Sequence, residues 1–260
     1  MAQSSAVRAA WKGIVSTLVV VLLLVILAEF GTRWYMAKKI TEEYQAATEN
    51  QVAEEDQPHV KFGPVPVTWG LLRGSLKQIN VDAPSTLEMT DTDVSGQPAI
   101  TAHLEDVTPS QKPTAGVFEA STTVPDQLIL IVLQNAVREQ SGFDRLGDVA
   151  ISNITTHDAE DTIDAELAGG FGALTVHPHA QDGQLAIDTV KAEVFGFELP
   201  EAARAGIEDA IRSQIEAVYT GGVDVTNVDV RDGELTLSAR GENVDLNQLA
   251  EDMGQYDPSR

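Results

Sequence analysis

Val228-Asp229-Val230-Arg231-Asp232-Gly233-Glu234-Leu235-Thr236-Leu237 decides how this chain folds. Val228 and Val230 alternate with polar neighbours before an Asp-Gly pair, and Leu235 and Leu237 alternate after it. Period-two alternation around Asp-Gly is the pattern of an antiparallel hairpin with one buried face. Upstream, Asp182-Gly183 precedes Leu185-Ala186-Ile187 in the same way. Ile79, Val81 and Ala83 alternate likewise, as do Ile100, Ala102 and Leu104, and Ile163, Ala165 and Leu167. Each set reads as a strand with one dry and one wet face. The apolar phase slips after Ile187, where Val190, Ala192 and Val194 take over, and again between Val225 and Val228. Such slips imply β-bulges and curved strands.

Two helices interrupt the strands. One is expected to start near Thr123-Val124-Pro125-Asp126 and to run through Leu128, Leu130, Leu133 and Val137 to Ser141-Gly142. It is apolar almost all round, which fits either an acyl-chain tunnel or simple burial under its own sheet. The other opens at Leu199-Pro200-Glu201 and carries Ala203, Ile207, Ala210, Ile211, Ile215 and Val218 on one stripe, ending before Gly221-Gly222. The fold class expected is therefore α+β, with a curved antiparallel sheet and one or two long helices.

The N-terminal region is different. Gly13 to Ala28 is uncharged, with an unbroken aliphatic run from Leu18 to Leu27. Trp11 on one flank and Trp34-Tyr35 on the other suit the two interfacial belts, and helical rise between them is about 34 Å. We read residues 13–33 as an uncleaved transmembrane anchor after a short flank, 1–12. Cleavage as a signal peptide is the alternative, but Ile26-Leu27-Ala28 offers only one small residue where an Ala-x-Ala site needs two. Residues 34–58, rich in Ala, Glu and Gln, read as a helical stalk or linker that stops before Pro58. The domain then occupies residues 59–247, with a tail at 248–260. Positive charges nearly balance across the apolar run, so orientation rests on the common use of a short N-terminus to export a large C-terminal domain. The expectation is a single-pass membrane protein with its domain extracytoplasmic.

Charge narrows the function. The chain holds 17 Lys and Arg against 40 Asp and Glu, a net of −23. Residues 1–40 carry five cations and one carboxylate, so the acidity lies beyond them. Such a surface repels nucleic acid, which is excluded as a partner. With no cysteine there is no disulfide, thiol chemistry or Cys-based metal site. No nucleophile elbow, phosphate loop, dinucleotide fingerprint or zinc-protease motif occurs, so no catalytic residue and no cofactor is assigned. His177 and His179 share a strand face, but no third ligand stands at metal spacing, and no metal is assigned.

One stretch runs against the overall charge. Between Gln57 and Val81 there is no Asp or Glu, while Lys61, Arg73 and Lys77 accompany Phe62, Val65, Val67, Trp69, Leu71 and Leu72. Cations beside aromatic and aliphatic side chains suit a phospholipid's headgroup and acyl chain together. Ordinary core residues with chance cations are the alternative.

These residues carry a resemblance. Val60-Lys61-Phe62-Gly63-Pro64-Val65-Pro66-Val67 is followed by Leu71-Leu72-Arg73-Gly74-Ser75-Leu76 and Ile79-Asn80-Val81-Asp82-Ala83. In the C-terminal half, Phe195-Gly196-Phe197-Glu198-Leu199-Pro200 opens a helix, and Val228 to Gly241 forms the closing hairpin. In this order they resemble the LmeA-like phospholipid-binding proteins of actinobacterial envelopes, over residues 59–247. The resemblance implies a tubular lipid-binding-like fold in which a curved sheet wraps a helix around an acyl groove. It also implies a non-catalytic, supporting role in the synthesis or upkeep of mannose-bearing envelope lipids; an envelope glycosyltransferase is the further partner that a scaffold role would bring. The strong acidity departs from the pattern and bears on any preference for anionic headgroups. The expected acyl groove is Phe62, Trp69, Leu72, Leu130, Leu133, Val137, Phe195, Phe197, Ile207 and Ile211, with Lys61, Arg73 and Lys77 at the headgroup. A membrane-anchored scaffold for an envelope enzyme is the alternative function, and a hydrolase or metalloenzyme using His177 and His179 comes third.

Overall fold

A computed structural model describes residues 29, 31–39, 57–90, 94–141, 150–202, 204–206 and 222–249. The core run of the expected anchor, most of the stalk and the tail lie outside the described residues, as do Ala203, Ile207, Ala210, Ile211, Ile215 and Val218. Among the described residues, no helix is long and apolar enough to cross a membrane.

The architecture is α+β with antiparallel, open sheets. Thirteen strands are described: β1 His59–Phe62, β2 Leu76–Ala83, β3 Glu88–Met89, β4 Val94–Ser95, β5 Ile100–Val107, β6 Thr114–Pro125, β7 Ile151–His157, β8 Thr162–Leu167, β9 Gly172–Gln181, β10 Gln184–Val194, β11 Phe197–Glu198, β12 Asp224–Arg231 and β13 Glu234–Asp245. Helix α1 comprises residues 29 and 31–39, α2 is Val67–Arg73, and α3 is Asp126–Ser141. Where the sequence suggested one sheet there are two large ones. The first has six strands in the order β1-β2-β5-β6-β13-β12, the second five in the order β11-β10-β9-β8-β7, and β3–β4 is a separate hairpin. The chain breaks between them because α3 follows β6 directly and starts the second half.

Local chemistry accounts for the turns. Asp182 and Gly183, at φ 51° and 78°, join β9 to β10 as a two-residue turn of the type that Asp-Gly favours. Asp232-Gly233 joins β12 to β13 with the register Arg231↔Glu234. The two phase slips are real bulges, with register shifts between Thr189 and Lys191 and between Val225 and Asn227. The expected helix cap at Thr123-Val124-Pro125 is instead the end of β6. These residues pair with Thr236, Leu235 and Glu234, so ladder bonds hold them and the helix starts at Asp126.

The two sheets meet along β12, which packs on β9 and β7. A buried hydroxyl stitches the junction: Thr156 Oγ1 donates to the carbonyl of Arg231 at 2.5 Å and accepts from the N–H of Gly233 at 2.9 Å. Asp126 Oδ2 accepts from the Thr156 N–H at 3.1 Å, tying the start of α3 to the same point. The apolar stretch of α3 from Leu128 to Val132 is covered by protein on two sides. Leu128 and Ile131 pack with Val94, Leu87 and Met89 of the β3–β4 region, while Ile129 and Leu130 pack with Ile154, Ile163, Val230 and Leu235 between the sheets.

Candidate lipid-contact surfaces

The apolar face of the six-stranded sheet carries Ile79, Leu104 and Val107, with Phe62, Val81 and Phe118 beside them. Val67 of α2 and Met36 of α1 close over this cluster. Helix α2 is brought there by an unusual cap. Its first residues follow Pro66, and no nearby side chain caps them. The carboxylate of Glu29, 38 residues earlier, does so instead. Its Oε1 accepts from the Val67 N–H at 2.6 Å, and its Oε2 accepts from the Thr68 N–H at 3.0 Å and the Thr68 hydroxyl at 2.8 Å. Arg33, one turn on, donates to Glu29 at 2.6 Å and to the carbonyls of Phe62, Gly63 and Val65 at 3.0–3.3 Å. Burial alone would raise the Glu29 pKa. The hydrogen bonds from Thr68, Val67 and Arg33 outweigh it and hold the carboxyl at about 2, against its ordinary 4.5. Glu29 and Arg33 are thus part of the domain's folded surface. Helix α1 runs across the expected boundary between residues 33 and 34.

Helix α2 buries Val67 and Gly70 and turns the rest outward. Leu72 is 81 % exposed and Trp69 51 %. The Arg73 guanidinium lies over the Trp69 ring, 4.8 Å from its centroid, and Lys38 lies over Trp34 at 5.5 Å. Trp34 (68 % exposed) and Tyr35 also face solvent.

The three expected headgroup cations are spread out. Arg73 stays with Trp69, and Lys77 is paired with Asp106, whose carboxyl it holds below the usual range. Lys61 sits opposite Asn80, three residues along β2 from Lys77, or about 10 Å of strand. It lines an open groove of about 810 Å³ across the polar face of the six-stranded sheet. One wall is the cross-strand row Lys61, Asn80, His103, Glu119 and Arg240, and the other is His59, Asp82, Thr101, Ser121 and Ser238. His103 bonds Asn80 at 2.6 Å, and Arg240 is ion-paired with Glu119. Lys61 remains exposed in this groove, and among the described residues it has no carboxylate partner.

The expected acyl-groove residues are also dispersed. Phe62 faces the core under α2, and Leu130 packs between the sheets. Leu133 is 39 % exposed on α3, and Val137 is half-buried farther along it. Phe195 and Phe197 are 70 % and 77 % exposed at the turn between β10 and β11. Sequence reasoning missed their neighbour Phe171, whose ring lies 5.6 Å from that of Phe195 and whose carbonyl accepts the Phe195 N–H at 2.6 Å. His177 and His179 stack at 5.5 Å, and among the described residues no three His, Asp or Glu side chains come together as a metal site.

The groove, the capped α2 and the exposed aromatic residues all fall within one homologous unit, since a profile described as LmeA-like phospholipid-binding matches residues 27–240. The chain belongs to the LmeA-like phospholipid-binding family. No curated protein and no solved structure matches it. The LmeA-like region begins two residues before Glu29, so the docked α1 is a family element, beyond the start at residue 59 that the sequence motifs suggested.

Proposed function

We propose that the chain is a non-catalytic phospholipid-binding protein of the cell envelope, with its domain extracytoplasmic, and that it supports the synthesis or upkeep of mannose-bearing lipids. Family membership over residues 27–240 is the observation that carries the phospholipid reading. The side chains favour it too: α2 sets Trp69, Leu72 and Arg73 together in solvent, and Lys61 stands in a groove wide enough for a polar headgroup. We draw the membrane span at residues 11–28, with Lys12 snorkelling, because Glu29 is already engaged with the domain.

The test is mass spectrometry of lipids extracted from the chain beginning at residue 27, secreted without its span. A stoichiometric phospholipid that survives purification, and is reduced in Lys61→Glu, is the expected result. A folded, lipid-free protein overturns the reading and leaves the scaffold alternative, for which a copurifying glycosyltransferase is the positive sign.

A further inference from the structure

The Glu29–Arg33 clamp holds α2 beside the end of the uncharged run. Ala28 is the last residue of the uncharged run, and Glu29, next to it, holds the first N–H groups of α2. Arg33, one helical turn on, reaches back to Glu29 at 2.6 Å and with the same guanidinium holds the carbonyls of Phe62, Gly63 and Val65. The connection from β1 to α2 is therefore held at this one ion pair, at the start of α1. Whatever lies between residues 39 and 57, the chain returns to where it left the span. Helix α2 is only about 10 Å long, so all of it lies near the level at which the run ends.

We propose that α2 lies in the headgroup layer of the leaflet that anchors the chain, with Trp69 and Leu72 entering the interface and Arg73 on lipid phosphate. The inference rests on the reading of residues 11–28 as a membrane span. Charge complementarity selects lipid as the occupant. The chain is −23 overall, yet no carboxylate occurs between Gln57 and Val81, and α2's exposed apolar side chains sit beside Arg73. A large exposed tryptophan beside an arginine matches the interfacial belt, where amphipathic rings and snorkelling cations are stable. The family's phospholipid is then met in the leaflet where the protein is anchored, not in solution.

The experiment uses the full chain with Trp11→Phe and Trp34→Phe, leaving Trp69 as the sole tryptophan. It is reconstituted into vesicles of phosphatidylcholine and phosphatidylglycerol, with and without brominated phosphatidylcholine. The expected result is loss of Trp69 emission with bromines near the headgroup end of the acyl chain, and protection from aqueous iodide. Leu72→Asp, on a side chain the fold does not bury, should restore iodide access without changing the circular dichroism. Trp69 quenched by iodide and indifferent to bromolipid overturns the proposal. Because the lipid-extraction test omits the span, a positive result there with a negative one here would reject the docking alone. Protection from iodide without bromolipid quenching would mean that protein, not lipid, covers α2, and would also overturn it.

Discussion

Replacing Glu29 by glutamine keeps the side chain's length and one carbonyl acceptor, but removes the charge that three donors of α2 and the Arg33 guanidinium share. Two routes give the size of the loss. A helix N-cap contributes about 0.5–2 kcal/mol. The fall in the carboxyl pKa from 4.5 to about 2 corresponds to about 3 kcal/mol at neutral pH. Arg33 is 30 % exposed, so solvent screens its share, and we expect about 2 kcal/mol for Glu29→Gln. Urea denaturation of the chain beginning at residue 27, followed by tryptophan emission, measures it, because Trp34 and Trp69 report on α1 and α2.

The pH dependence is the sharper check. The folded pKa lies below the unfolded one, so the stabilisation is complete above about pH 4.5 and vanishes as pH falls through about 2. The gap between wild type and Glu29→Gln should therefore close over that window. Equal urea midpoints at neutral pH, or a gap that widens on acidification, would refute the clamp as the main support of α2.

Two further substitutions probe other elements. Phe195 sits at φ 54° in a two-residue turn where Asn or Gly is usual, so Phe195→Asn should raise stability by up to about 1 kcal/mol in thermal melts while weakening association with lipid; a clear loss of stability would show that its ring pair with Phe171 holds the turn together. Thr156→Val removes both hydrogen bonds at the sheet junction and should cost about 1–3 kcal/mol, whereas Thr156→Ser should keep most of the stability, as differential scanning calorimetry can tell.

Legibility in the sequence followed the range of each interaction. The hairpins at Asp182-Gly183 and Asp232-Gly233 and both bulges were readable, because turn chemistry and period two are local. Strand β6 was not read, because Gly116, Ala120, Ser121, Thr122 and Thr123 present small or weakly polar side chains with no clear alternation. Its place between β5 and β13 is set by partners rather than by its own pattern. The apolar stretch of α3 was ambiguous for a physical reason: acyl chain and protein core demand the same side chains, and only the packing on both sides decides for core at Leu128, Ile129, Leu130 and Ile131. Glu29 was hidden by its position. At the end of an aliphatic run it reads as a membrane boundary, and the α2 residues it caps are 38 and 39 residues away. The available signal was an uncapped helix start at Pro66-Val67 together with the Glu29–Arg33 pair spaced for one helix face. Of the groove only Lys61 was singled out, since five strands and the edge of a sixth build its walls.

The clamp also links the two candidate lipid-contact surfaces to each other. Arg33 binds the carbonyl of Phe62, and Lys61 is the preceding residue, lining the groove from edge strand β1. Interface and groove are therefore linked by the short segment from Lys61 to Thr68, both of whose ends are near α1. A headgroup leaving the neighbourhood of Trp69 and Arg73 would meet Lys61 as it moves along that segment, while the wall beyond pairs Arg240 with Glu119 and so offers less free positive charge. On the proposed docking, the surplus of carboxylates elsewhere opposes close approach to an anionic surface while Arg73 of α2 attracts it, so the edge that carries α2 is the one turned to the lipid.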